Sequence, residues 1–260
     1  MSNKNNQTSL RFYASLNYFL SADRQQTNFN HSFTGKVSVK DLIESVGVPH
    51  TEVGLILVNN AAVDFTYHVR DNDHISVYPE FKQLDISEFS QTRVKPLTEI
   101  RFVLDIHMGK LARYLRMLGF DSLYRNNYSD LELASISATE NRILLTRDRG
   151  LLKHSIVNYG YFPRTTGSRK QLQEVICRFD LESLLKPFSR CINCNGKLVE
   201  VNKKEIEDQL QAKTKEFYHH FKQCQDCRNI YWQGSHYHKM QKLISALINQ
   251  SSLSREARAS

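Results

Sequence analysis

The sequence lacks any long apolar run. No stretch approaches the roughly 18 to 20 apolar residues needed to cross a bilayer. The N-terminal segment MSNKNNQTSL is polar and has no apolar core of the kind that signal peptides carry. The chain also lacks internal repeats, and it has no low-complexity segment beyond a serine-containing tail at 251–260. These absences predict a cytoplasmic protein that does not engage a membrane.

Cysteine is scarce, but its placement is informative. Four of the five cysteines form two C-x-x-C pairs, Cys191/Cys194 and Cys224/Cys227, separated by 29 residues. Each pair can fold into a turn that presents two thiolates, and two such turns complete a tetrahedral site. Two disulfides or four free thiols are the alternatives, and disulfides are disfavoured in the cytoplasm. We therefore predict a structural Zn²⁺ site, closed because four thiolates leave no open position.

Charge is unevenly distributed along the chain. Residues 1–90 carry 7 Lys/Arg against 10 Asp/Glu, whereas residues 91–260 carry 28 against 17. A strongly basic region joined to a mildly acidic one indicates that the second part meets a polyanion. Charge alone is weak evidence, because many basic proteins bind nothing.

The first 82 residues predict a compact α+β unit. Ser38 and Asp41 form a capping-box-like pattern ahead of a helix that ends near Gly47. The other predicted elements are strands at Leu10–Leu16, Val53–Val58 and Ile75–Tyr78, and a turn at Asn59-Asn60. Strand, early hairpin, helix and closing strands are the order of a ubiquitin-like β-grasp domain, which we place at 7–82.

A linker at 83–98 separates this unit from a second pattern, in which strands alternate with helices. The predicted strands are Ile100–Leu104, Phe120–Tyr124 and Ile143–Thr146, and the predicted helices are His107–Leu118 and Asp130–Glu140. Such alternation predicts a parallel sheet with helices on its faces. We therefore expect a small α/β domain at 99–188, a cysteine ribbon with an inserted helix at 189–245, and a flexible tail at 246–260.

Acidic residues follow two of the predicted parallel strands. Asp105 and Asp148 each lie at the carboxyl end of a strand, the edge where sites form in open α/β sheets. If the two strands are neighbours, the carboxylates converge and can hold Mg²⁺ or Mn²⁺. Asp130 or Glu132, at the start of a predicted helix, could supply a further oxygen ligand. For Asp130, an ordinary first-turn charge is an equally good interpretation.

Basic and aromatic side chains accompany these acids. A basic helical face is usually only solvated, but a nearby metal site favours phosphate contacts. The predicted RNA-contacting residues of the α/β domain are Lys110, Arg113, Arg116, Arg147 and Arg149. In the ribbon, Trp232 and His236 could stack on or contact unpaired bases. It is equally plausible that Tyr231 and Trp232 only cover the zinc.

Three sets of sequence strings resemble one family. RFVLDIHMGKLARYLRMLGFD and RILLTRDRGLL are similar to the PIN-like ribonucleases of the Mut-seven C-terminal family. The strings RCINC, CQDC and YWQGSHYHKM match the zinc ribbon that follows the nuclease in that family. RFYASLNYFL, GVPHTEVGLILVNN and ISVYPEF match its ubiquitin-like domain. The resemblance spans roughly residues 10 to 245.

This resemblance implies a PIN-like fold and metal-dependent hydrolysis of RNA phosphodiester bonds, with Asp105, Asp130 and Asp148 as the acids. The stacking residues of the ribbon favour single-stranded RNA as the partner. One departure is that the position after the TRD motif, where related sites often have a further acid, holds Arg149-Gly150. A second metal ion is therefore in doubt. The alternative is a non-catalytic RNA-binding adaptor with a degenerate nuclease fold. In both cases we expect the β-grasp domain to dock a protein partner or to regulate.

Overall fold

A computed structural model describes residues 5–80, 92, 97–235, 237–242 and 244–245 of the chain. Most of the predicted linker at 83–98, and the tail from 246 onward, lie outside the described residues. Within the described ranges, no helix combines the length and the apolar composition that crossing a membrane requires.

The N-terminal part is a five-stranded β-grasp sheet with one α-helix, as predicted. Its elements are β1 (Asn5–Phe12), β2 (Phe29–Thr34), α1 (Val39–Ser45), β3 (Val53–Val58), β4 (Ala61–Val63) and β5 (His74–Pro79). The strand order is β2-β1-β5-β3-β4, with β1 and β5 parallel at the centre and the other pairs antiparallel. The parallel central pair requires the long crossover that contains α1.

Local sequence signals explain most of these elements. Ser38 caps α1, since its side chain accepts a hydrogen bond from the Asp41 N–H, and the turn between β3 and β4 is formed by Asn59 and Asn60, both with positive φ. The prediction for Leu10–Leu16 is wrong beyond Phe12. Ala14 has a φ of 48° and begins a 3₁₀ helix, Ala14–Phe19, that buries Leu16 without extending the strand.

The middle segment is α/β, and its strand pairs are parallel. Its elements are β6 (Arg101–Leu104), α2 (Gly109–Met117), β7 (Asp121–Leu123), α3 (Asp130–Glu140), β8 (Ile143–Leu145), α4 (Arg149–Leu152), β9 (Gly160–Tyr161) and α5 (Ser168–Phe179). β6 pairs in parallel with β7, and β8 pairs in parallel with β9. The predicted parallel α/β architecture is confirmed. A 3₁₀ turn, Ile106–Met108, precedes α2, so this helix begins two residues later than predicted.

The cysteine segment is an antiparallel sheet with an insertion. Its strands are β10 (Leu198–Val201), β11 (Phe221–Cys224) and β12 (Ile230–Trp232), in the order β10-β11-β12. The insertion contains two short helices, α6 (Lys203–Ile206) and α7 (Ala212–Phe217), where the sequence predicted one.

The chain divides into two compact units that do not follow the sequence order. The first contains residues 1–99 and 130–162, so α3, β8, α4 and β9 belong with the β-grasp domain. The second contains residues 100–129 and 163–260, so β6, α2, β7 and α5 belong with the cysteine ribbon.

Within the first unit, hydrogen bonds and rings join the β-grasp domain to the segment 149–162. Buried Glu52 accepts from the Phe162 N–H at 2.8 Å, and His50 Nε2 lies 2.8 Å from the Val157 carbonyl. Phe19, which is 3% exposed, packs edge-on against Phe162 with ring centroids 5.6 Å apart. The β-grasp domain therefore packs against the segment 149–162.

Replacing Phe19 with alanine tests this packing. Removing a buried phenylalanine ring costs about 3 to 5 kcal/mol, so Phe19→Ala should lower the free energy of unfolding and increase amide hydrogen exchange in residues 149–162. Phe217→Ala is the matched control, because Phe217 is 67% exposed. Equal stability of the two variants in urea titrations would contradict the packing.

Candidate metal centre and acidic residues

The four cysteines of the C-x-x-C pairs meet at one point. The Sγ atoms of Cys191, Cys194, Cys224 and Cys227 all lie within 4.8 Å of one another. Across the two pairs, Cys191 lies 3.6 Å from Cys227 and Cys194 lies 3.4 Å from Cys224. A tetrahedral ion with metal–sulfur bonds of about 2.3 Å separates its sulfurs by about 3.8 Å. The cluster could therefore hold a metal ion such as zinc.

The two turns of the cluster share one backbone pattern. In each, the first cysteine donates its N–H to the carbonyl five residues on, at 2.8 and 2.9 Å. Its carbonyl accepts from the residue four positions on, at 3.0 and 3.2 Å. That residue, Asn195 or Arg228, has a positive φ of 78° or 60°. Next to it, a Cβ on Gly196 would lie 2.8 Å from Cys224 Sγ, so only glycine fits there.

Local contacts tune the cysteine thiols. Burial raises the pKa of Cys191, but hydrogen bonds from Tyr231 and from the Cys194 and Asn193 amides outweigh it and lower the value to about 7. Burial raises the pKa of Cys194 to about 12. The Tyr231 hydroxyl lies 3.0 Å from Cys191 Sγ, and burial raises its own pKa as well. Tyr231 thus stays protonated and can donate to the Cys191 thiolate, which assigns it to the cover of the cluster.

Arg116 is buried, and this corrects its prediction as an RNA contact. It is 4% exposed, and Nε donates to the Ser122 carbonyl at 2.8 Å. Nη1 donates to the Asn193 carbonyl at 2.7 Å, inside the first cysteine turn. Burial lowers the pKa of the guanidinium, while the nearby Cys191 and Cys194 sulfurs oppose that shift. The helical spacing placed Arg116 on the polar arc, but the ribbon covers that position.

Asn195 makes the second connection between the ribbon and the α/β segment, and no sequence motif had marked it as a site residue. Its Oδ1 accepts from the Ser122 N–H at 2.9 Å, and its Nδ2 donates to Asp121 Oδ1 at 2.8 Å. Arg190 lies 3.4 Å from the other Asp121 oxygen. The available signal was the Asn-Gly dipeptide after Cys194, since asparagine tolerates the left-handed conformation of such turns.

Asp105 directly follows β6, as predicted. It occupies the N-cap position of the 3₁₀ turn Ile106–Met108, and its carbonyl accepts from the Met108 N–H at 2.9 Å. Its side chain makes no capping bond and is partly exposed. The carboxylate is therefore not used to start the helix.

Asp148 caps α4. Its Oδ1 accepts from the Gly150 N–H at 2.6 Å and from the Leu151 N–H at 3.3 Å. Both bonds use the same oxygen, so Oδ2 is the atom that could face an ion. The residue is exposed.

Asp130 is the first residue of α3, and both it and Glu132 are exposed acids of the first helical turn. This position suits a negative charge at the positive end of the helix dipole. Among the residues that the structure describes, the cysteine quartet is the one set of three or more His, Cys, Asp or Glu side chains with ligand atoms within 4.8 Å of one another. The role of the aspartates thus rests on sequence position and on the environment of each carboxylate.

The other residues that the sequence predicts to contact RNA lie in different environments. Lys110 and Arg113 are exposed on α2, and Trp232 is 38% exposed on β12. Arg147 lies over the Phe162 ring at 5.6 Å. Arg149 Nη1 donates to the Phe19 carbonyl at 3.0 Å, and its guanidinium lies 5.2 Å from the Phe19 ring centroid.

Arg149 thus contacts the β-grasp domain, and its predicted contact with RNA stays a prediction. His236, the other ribbon residue predicted to contact RNA, lies outside the described residues.

A β-grasp domain, a parallel α/β segment and a four-cysteine ribbon define a multidomain α/β protein with a candidate metal centre. Residues 100–244 match the model of the Mut7-C RNAse domain, and residues 5–85 match that of the Mut7-C ubiquitin domain. The first match covers more than half of the chain, so this protein belongs to the Mut7-C RNAse domain family. Comparison with curated proteins and with solved structures finds no match.

Removing the Arg116 side chain should destabilise the second unit. Arg116→Ala leaves the Ser122 and Asn193 carbonyls without this donor, and unsatisfied buried groups cost about 1 to 3 kcal/mol each. The free energy of unfolding in urea should therefore fall by at least about 2 kcal/mol. Arg113→Ala is the control, because exposed substitutions usually change stability by less than about 0.5 kcal/mol. A loss no larger than that of the control would rule out the structural role.

Proposed function

We propose that this protein is a metal-dependent ribonuclease that hydrolyses RNA phosphodiester bonds, with Asp105, Asp130 and Asp148 as its acids. The membership in an RNase family carries the reaction class. The placement of Asp105 at the carboxyl end of β6 carries the site. Sites of open α/β sheets form at this edge.

The donor set fits Mg²⁺ or Mn²⁺. The three candidates are carboxylates at partly or fully exposed positions, and hard divalent cations prefer such oxygen ligands. Asp148 keeps one oxygen for its helix cap and offers the other. When bound, the ion would polarise the phosphate and lower the pKa of a coordinated water.

In this proposal, exposed basic side chains on α2 contact the phosphate groups of the RNA. Lys110 and Arg113 are three residues apart, so they lie on one helical face one turn after Asp105. Arg147 immediately precedes Asp148. These side chains would neutralise the phosphate as negative charge develops during attack. The excess of basic residues after position 90 favours the approach of a polyanion.

We further propose that the cysteine cluster binds Zn²⁺ and that its role is structural. Four sulfur ligands complete a tetrahedral coordination shell and leave no open position for substrate. The proposal includes a reducing, cytoplasmic environment, in which the four thiols remain available to the ion. A protein partner for the β-grasp domain is part of the proposal as well.

Zinc should be present at one ion per chain, and Cys194→Ser should lose it. Structural zinc binding is worth on the order of 10 kcal/mol in isolated fingers, so the strands β10 to β12 should lose protection from hydrogen exchange. Cys177→Ser is the control, because Cys177 lies outside the cluster. Zinc at control levels in Cys194→Ser, measured by elemental analysis, would exclude this site.

One observation favours the adaptor alternative. The residue after Asp148 is Arg149, which is engaged with Phe19, and a further acid is missing at this point of the sequence. A non-catalytic protein would retain RNA without shortening it. Incubation with labelled RNA and DNA in Mn²⁺, Mg²⁺ or EDTA distinguishes the two functions.

Asp105→Asn and Asp148→Asn should each reduce RNA cleavage at least about a hundredfold, which is about 2.7 kcal/mol of transition-state stabilisation. Asparagine keeps the size of the side chain but removes the charge that holds a cation. Because asparagine caps helices about as well as aspartate, Asp148→Asn should retain normal stability. Asp208→Asn, an exposed position in the ribbon, is the control. Near-normal cleavage by either folded variant would remove these acids from the site.

A further inference from the structure

The ribbon contains a cavity that neither the cysteine cluster nor the acidic residues use. It measures about 300 Å³ and opens beside the sheet of β10, β11 and β12. This volume lies at the lower end of the range of small-ligand sites, roughly 300 to 1,000 Å³. One nucleotide is within that scale, whereas a nucleic-acid duplex is far too wide to enter.

Aromatic rings form much of the cavity wall. The lining includes Phe188, Phe221, Tyr231, Trp232 and Tyr237. Phe188 and Tyr237 stack at a tilt, with ring centroids 4.3 Å apart. Trp232 is 38% exposed, which leaves part of the largest ring in the ribbon without a protein neighbour. Flat, partly exposed rings of this kind are the surfaces on which unpaired bases stack.

Phe188 is held in a strained conformation at this wall. Its φ is +57°, in the left-handed region that a bulky residue rarely adopts. Two bonds fix the residue: its N–H donates to the Met117 carbonyl at 3.0 Å, and its carbonyl accepts from Lys222 Nζ at 3.3 Å. Strain of this kind persists where the surrounding structure enforces it, and it concentrates at functional sites.

The polar lining favours an anion over a neutral ligand. Arg190 and Lys222 contribute positive charge, and Glu200 is the only carboxylate among the lining residues that the structure describes. His219 and His220 are exposed at the same cavity and can donate hydrogen bonds to phosphate oxygens. Arg190 is already paired with Asp121 and Lys222 donates to the Phe188 carbonyl, so His219 and His220 are the lining groups that would bind the phosphate directly.

We propose that this cavity binds one unpaired nucleotide of single-stranded RNA, with its base on Trp232 and its phosphate at His219 and His220. A nucleotide has one flat apolar face, its base, and one anionic group, its phosphate. The aromatic rings and the cationic rim of this small cavity match these two features. This inference rests on the proposed function, because it takes RNA as the substrate. It adds that the ribbon recognises RNA in its single-stranded form. A base-paired nucleotide cannot place its base there.

The test measures the affinity of the full-length, zinc-loaded protein for a fluorescein-labelled 12-nucleotide RNA and for the same sequence as a blunt duplex, without Mg²⁺ or Mn²⁺. Trp232→Ala removes the ring on which the base stacks, so it should weaken single-strand binding about tenfold and leave duplex binding unchanged. Trp232→Phe, which keeps a ring, should restore most of the affinity. Phe217→Ala is the control, because Phe217 is an exposed ribbon aromatic outside the cavity.

The outcomes separate this inference from the proposed function. Wild-type single-strand affinity in a folded Trp232→Ala protein that still cleaves RNA would overturn the nucleotide site and leave the ribonuclease intact. Equal weakening for single strand and duplex would also overturn it, since that result indicates a general RNA contact. Selective weakening in a chain that never cleaves RNA would support the site and refute the catalytic proposal. If the wild-type chain binds no RNA, both fail.

Discussion

The second unit depends on a buried cation, the guanidinium of Arg116. It bridges the Ser122 carbonyl at β7 and the Asn193 carbonyl inside the first cysteine turn. Four thiolates around a divalent ion would carry a net charge of about −2, and a nearby buried cation offsets it strongly at low dielectric. Because Arg116 belongs to α2, the helix that follows Asp105 is fixed by the ribbon. The ribbon is therefore part of the framework that would orient the basic face of α2 with Lys110 and Arg113.

In the first unit, too, contacts between distant parts of the sequence hold a segment of the α/β region in place. Here the contacts are made by a buried carboxylate and by aromatic rings. Glu52 and Phe19 of the β-grasp domain contact Phe162, and Phe19 also binds Arg149 through its carbonyl and its ring. Arg149 is the residue next to Asp148, whose side chain caps the same short helix. The β-grasp domain thus supports the segment that contains one of the proposed acids.

Local signals were readable from the sequence, and tertiary ones were not. The Ser38 cap, the Asn59-Asn60 turn and the two C-x-x-C pairs each depend on neighbouring residues, so their patterns identified them. Arg116 shares its helical spacing with Lys110 and Arg113, and only the distant Asn193 carbonyl makes it a buried residue. The strand predicted to reach Leu16 ended at Phe12, because apolar alternation cannot distinguish a strand from a 3₁₀ helix that buries the same leucine. The cavity beside β12 depends on residues far apart in sequence, which no spacing rule connects.

The central claim, that aspartates of this chain hold a divalent ion for RNA cleavage, is tested most directly by metal binding itself. Titration of Mn²⁺ into the zinc-loaded protein, followed by electron paramagnetic resonance of the free ion, counts bound manganese without any substrate. We expect at least one Mn²⁺ site in the wild-type protein that is lost in Asp105→Asn and kept in Asp208→Asn. Equal Mn²⁺ binding by Asp105→Asn and the wild-type protein would contradict it.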